Sequence, residues 1–341
     1  MSPSLRSISR GLAALIMVAA ILLFSDLPNR RPGERKVKKG APAKLCMVHY
    51  VDSHNSEDCE KGLRKALSEG SLEEGKDYTM KVFNAQGDIS TLNSIAGSIG
   101  NEGYDLVFAL STPTIQLLAK KLPAVKMVFT NVGDPLAAGL GKSFEEHLPG
   151  ITGISTMSDF EGLIKMIRIL HPGIKNIGTV FTPAEINSVA YKERLEAAAR
   201  EAGIGLIAVP ANTATEVLDA AKTLVSRRIT AFCQISDNLT GSCSAAILKV
   251  SHDSKVPYYG FVTQQLGQGA VAVCARDYFQ AGLEAGQMGL EVLGGKSPAE
   301  IPYRFVRKTE FMISEEAARK FNIPITDELM AAFPLLKIKK Q

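Results

Sequence analysis

Along the chain, short apolar runs end on small polar residues, and each is followed by a stretch whose apolar positions repeat with helical spacing. Leu45 to Tyr50 reads as a first strand and runs into the polar loop Asp52-Ser53-His54-Asn55 and a helix from about Glu57 to Ser68. Tyr78 to Phe83, Asp105 to Leu110, Val125 to Phe129 and Ile151 to Ser155 read as further strands, with Ser90 to Ile99 amphipathic between them. Thr112 reads as an N-cap, with Pro113 at the first helical position. The same grammar then starts again. Asn176 to Phe181, Ile204 to Val209, Ile229 to Ile235, Pro257 to Val262 and Gly269 to Cys274 are strand-like, with helices to Ala202 and over Ala214 to Ser226. The two sets align at an offset of about 120 to 130 residues. Alternating strands and helices of this kind predict an α/β protein with two Rossmann-like lobes, each a parallel sheet covered by helices.

A helix over Asp277 to Leu293 and apolar segments at Tyr303 to Val306 and Phe311 to Ser314 remain. They are too little for a third domain, so the chain is expected to return to the first lobe and cross again near residue 300. The predicted units are lobe 1 over 45–155 and 277–298, and lobe 2 over 156–276 and 299–341, joined by a hinge of several strands with a cleft at the strand ends.

Charge changes the picture at one end. Of the 39 Lys and Arg residues, nine fall within residues 1–44 beside only Asp26 and Glu34, which leaves the remainder mildly acidic. No basic stripe with interleaved aromatics is present, which argues against a nucleic-acid partner. Arg6 and Arg10 before the apolar run Gly11 to Phe24 have the pattern of an export signal. Neither a small-residue cleavage site nor a cysteine follows it directly, so residues 1–27 read as a signal peptide or an uncleaved anchor, and 28–44 as a flexible tether. The expected location is outside the cytoplasm.

Catalytic and metal-binding constellations are missing from the sequence. The five histidines stand singly, and Cys46, Cys59, Cys233, Cys243 and Cys274 lack ligand spacing, so neither metal nor cofactor is expected. A Cys46–Cys59 bridge is conceivable in an oxidising compartment. Gly267-Gln268-Gly269-Ala270-Val271-Ala272 imitates a dinucleotide fingerprint but precedes a strand, and Gly294-Gly295-Lys296-Ser297 follows a helix and reads as its C-cap.

What remains is a ring of polar groups at the strand ends: Ser111 and Thr112, Asn131 and Asp134, Glu185, Asn187 and Ser188, and Asp237 and Asn238. Each also reads singly as a helix cap or turn residue, the Gly133-Asp134-Pro135 corner among them. As a set, hydroxyls and helix-start N–H groups suit a carboxylate, and Asp237 suits an ammonium group. A zwitterionic amino acid or similar small polar solute fits both.

Asn84-Ala85-Gln86-Gly87-Asp88, Ser111-Thr112-Pro113, Val128 to Gly139 (Val-Phe-Thr-Asn-Val-Gly-Asp-Pro-Leu-Ala-Ala-Gly), Glu185-Ile186-Asn187-Ser188 and Ser236-Asp237-Asn238 carry a resemblance over about Lys44 to Ile325. The chain resembles the ABC transporter substrate-binding proteins that include tryptophan- and tyrosine-type binders. The resemblance implies a type I periplasmic-binding-protein fold that closes over one ligand and delivers it to a membrane permease. Ser111, Thr112 and Asp134 would then hold the ligand from one lobe, and Asn187, Ser188, Asp237 and Asn238 from the other. Three departures lie near the cleft: Gly133 stands where a Thr is usual, Phe181-Thr182-Pro183 replaces a more polar loop, and Phe261 to Gln265 lacks an acidic pair.

The expectation is therefore a monomeric, non-enzymatic solute-binding component of an ABC importer, taking an aromatic or branched-chain amino acid or a related solute. The alternative is a tethered ligand sensor of the same fold that reports to a membrane partner. An enzyme would need Glu185 and Asp237 as its acid–base pair.

Overall fold

The computed structural model describes residues 42–340; the segment expected to be a signal peptide or anchor, and the expected tether up to Ala41, lie outside them. In the first sheet β1 (Ala43–His49), β2 (Tyr78–Asn84), β3 (Leu106–Leu110), β4 (Met127–Val132) and β5 (Ile151–Ser155) are parallel, in the order β2-β1-β3-β4-β5. Alternate residues of β1 show why these strands are apolar throughout. Cys46 and Val48 enter one core, Leu45 and Met47 the core on the opposite face, because helices cover both sides of a parallel sheet. Cys59 lies in the second of those cores and Cys46 in the first, and all five cysteines are free, so no Cys46–Cys59 bridge forms.

The second sheet repeats the plan with β6 (Asn176–Phe181), β7 (Gly205–Pro210), β8 (Ala231–Cys233), β9 (Tyr258–Gly260) and β10 (Ala272–Arg276), all parallel. β8 is shorter than the run Ile229 to Ile235 suggested. Buried Gln234 ends the ladder, its amide accepting from the Val180 N–H at 2.9 Å and donating to the Val180 carbonyl at 2.8 Å in place of a backbone partner.

The helix Tyr278–Leu293, capped by Asp277, packs on the first lobe against the helix His54–Glu69. The two approach so closely that a Cβ on Gly282 would overlap the Cys59 carbonyl oxygen. β11 (Arg304–Phe305) then pairs with β5, so the last crossing comes after Phe305 and not near residue 300. β12 (Thr309–Ser314) joins the second sheet antiparallel to β10, and β13 (Lys337–Lys339) follows beside it.

The chain thus passes between lobes three times: after Ser155, at Arg276–Asp277 and after Phe305. Arg276 ties the crossings together, its Nε donating to the Met157 carbonyl at 2.5 Å and its guanidinium bonding the Thr309 hydroxyl. Lys308 bridges Asp277 at 2.6 Å and Glu310 at 3.0 Å in the same place.

Candidate functional site

The carboxyl ends of both sheets face each other across one cleft, where ligands bind in open α/β sheets. Two strand tips of the first lobe are turned sharply: Ser111 has φ 88° and Asn131 φ 57°, left-handed values uncommon for non-glycine residues, though Asn tolerates them. Ser111, not Thr112, is the N-cap of the helix Thr112–Lys121. It caps by backbone alone, since its hydroxyl is engaged with that of Thr114 at 3.3 Å.

Opposite these tips stands a buried carboxyl pair of the second lobe. Asp237 accepts from the Ser188 hydroxyl at 2.5 Å through one oxygen, and from the Thr240 N–H and hydroxyl at 2.6 and 2.7 Å through the other. Glu185 accepts from the backbone N–H groups of Asn238 and Leu239 at 3.1 and 3.2 Å, and from the side-chain amides of Asn238 and Asn187 at 2.6 and 3.3 Å. Burial raises Glu185 most, the Asp237 charge raises it further, and the amide donors only partly oppose them, so it titrates at about 7. Burial also raises Asp237, against the hydrogen bonds from Ser188 and Thr240.

Between the lobes lies a partly open cavity with room of about 60 Å³ for water-sized groups. Of the nine residues singled out from the sequence, Thr112, Asn131, Asn187, Asp237 and Asn238 line it. Ser188 lies behind Asp237, and Glu185 faces a larger groove of about 950 Å³ at the outer mouth of the cleft, which also touches Asn238. Ser111 and Asp134 are elsewhere. Asp134 accepts from the Leu136 and Ala137 N–H groups at 3.0 Å each, and its other oxygen meets Arg194 of the second lobe at 2.9 Å. Asn187 Oδ1 is buried without any hydrogen-bond partner. A buried acceptor left open in this way is available to a donor from water or a bound molecule.

Over residues 44–333 the chain matches the family of ABC transporter substrate binding proteins. It belongs to that family. A tyrosine-binding protein of Clostridioides difficile is 28% identical to this binding protein over 299 residues, 88% of this chain and 86% of the relative. A conserved domain protein from Vibrio cholerae superposes with a TM-score of 0.82 at 27% identity, covering 87% of this chain and 99% of that one. A domain from Streptococcus pneumonia in complex with L-Trp also gives a TM-score of 0.82, at 23% identity, covering 87% and 100%. The two-sheet architecture is the type I periplasmic-binding-protein fold of such neighbours. Substrate-binding proteins of this family bind small molecules for an ABC permease and work outside the cytoplasm.

Several residues of the binding protein's cavity were not singled out from the sequence: Ser53, His54 and Asn55 from the first lobe, Gln264 and Gln268 from the second, and Tyr191 and Tyr278. The polar loop after β1 and the glutamines after β9 were visible as strand-end segments. Tyr191 gave no such signal, because an aromatic one turn beyond Asn187 on a helix has the spacing of a core residue. Among the described residues no group of His, Cys, Asp and Glu side chains is placed to hold a metal ion, and no helix is long and apolar enough to cross a membrane.

Proposed function

We propose that the protein captures an amino acid as its zwitterion between the lobes and, as a monomer outside the cytoplasm, delivers it to the permease of an ABC importer. The observation that carries this reading is the open buried acceptor Asn187 Oδ1 beside the Asp237 carboxylate, facing Thr112 and Asn131 across the cavity. Acceptors on the second lobe suit an ammonium group. The hydroxyl and first N–H groups of the Thr112–Lys121 helix, on the first lobe, suit a carboxylate. One solute then bridges both walls. Because it touches both lobes only when they meet, its binding energy favours the closed form by its differential affinity for the two states, and closure becomes the signal the permease reads. The tyrosine-binding relative and the neighbour in complex with L-Trp support the amino-acid class.

Calorimetric titration with the common amino acids, on the native protein and Asp237→Asn, tests this. Asn keeps the cap on Thr240 but removes the charge, so the dissociation constant of the preferred amino acid is expected to rise at least about tenfold, the scale of a charge-assisted hydrogen bond. An unchanged constant removes Asp237 from ammonium recognition, and silence across all amino acids rejects the class.

A further inference from the structure

We infer that Tyr191, seated against Gly133 across the cleft, is the residue that sets the size of the solute and restricts it to compact zwitterions, smaller than the aromatic amino acids. The inference rests on the amino-acid reading above and narrows it. Tyr191 projects from the helix Ile186–Glu201 of the second lobe, one turn beyond Asn187, so both reach the same cavity. Its ring is buried and held from behind by Phe160, at 5.8 Å between ring centroids, and Phe160 rests in turn on Phe261 at 4.9 Å. A Cβ on Gly133 would overlap the Tyr191 hydroxyl and ring edge. The missing side chain at 133 is therefore the space that the tyrosine enters when the lobes meet. Gly133 and Tyr191 act as one contact: the first lobe carries no side chain where the second supplies a ring.

The consequence is the small volume left for a ligand. A cavity needs about 10–15 Å³ to hold one water, so the roughly 60 Å³ here admits on the order of five non-hydrogen atoms. That is an amino-acid backbone with little or no side chain. Tyr191 and Tyr278 supply the rings of the wall, and the remaining lining is chiefly amide and hydroxyl groups.

The test is calorimetric titration of glycine, L-alanine, L-serine, L-tyrosine and L-tryptophan into the native protein, Tyr191→Ala, Gly133→Ala and the double variant, with thermal melts to confirm folding. The native protein is expected to bind a compact amino acid at least tenfold more tightly than either aromatic one. Tyr191→Ala should improve aromatic binding at least tenfold relative to the compact ligand. Gly133→Ala should weaken every ligand at least tenfold, and adding Tyr191→Ala should restore binding, because the clash lies between those two residues. Tighter binding of L-tyrosine or L-tryptophan by the native protein, an unchanged ranking in Tyr191→Ala, or native affinity in Gly133→Ala overturns the inference. Small-angle scattering with and without saturating ligand reads the seat directly. The native protein and the double variant should compact on adding the preferred amino acid and Gly133→Ala should not; equal compaction in all three overturns the seat, whereas silence of every protein towards every amino acid rejects the amino-acid reading.

Discussion

Glu185 and Asp237 are two acids in one buried corner, and among the described residues no positive side chain is bonded to either. Glu185 titrates at about 7 in the folded protein against an ordinary 4.5. A raised acid pKa means that the folded state holds its proton longer than the unfolded state does. Its contribution to stability is therefore fully present below pH 4.5 and is lost as the pH rises through about 7. The loss is at most about 3 kcal/mol. Denaturant unfolding of the unliganded protein between pH 4.5 and 8 is expected to show this fall, and Glu185→Gln to flatten it; equal slopes in the two proteins reject the assignment. The polar members of this corner were legible in the sequence because each ends an apolar run. Their division of labour was not. That Ser188 serves Asp237, and that Asp134 faces Arg194 and not the cavity, depends on pairings across 49 and 60 residues of chain. Tyr191 was hidden for a different reason, since ring and cavity wall share the helical spacing of core.

At the scale of elements, the strand and helix succession was readable because burial on both faces makes parallel strands apolar throughout, and each closes on a polar tip. The helix Ala214–Ser226 and strand β5 match the residues their patterns predicted. Ends were misjudged where a side chain replaces the backbone, as Gln234 does beside β8. Helix pairing carried a signal only in its glycines. Gly282 lets the helix Tyr278–Leu293 settle on the Cys59 carbonyl, and Gly62 lets the partner helix meet Phe279 in the same way. Gly282→Ala forces a methyl group into backbone, and it is expected to cost about 3 kcal/mol, the upper part of the range for overpacking. Urea unfolding reads it; a loss below about 0.5 kcal/mol, the size of an ordinary surface change, would mean that the two helices are not in close contact.

Under the proposed function the two lobes move about three short crossings, and the bonds between lobes decide how strongly the closed form is held. Arg194 is 54% exposed and Asp134 13%, so their pair at 2.9 Å is a rim contact. Such pairs contribute about 0–1 kcal/mol. Arg194→Ala is expected to raise the dissociation constant of the preferred ligand by no more than about fivefold, with the difference shrinking as salt is added. A hundredfold loss, or one insensitive to salt, would show that the pair governs closure. The three crossings also order events in time. Synthesis delivers β1 to β5 first, but the helix that covers one face of their sheet and the strand β11 that completes its edge arrive only with residues 278–305. Contacts so distant in sequence form slowly. The first lobe made thus lacks one helical cover and one sheet edge until most of the second lobe has been synthesised.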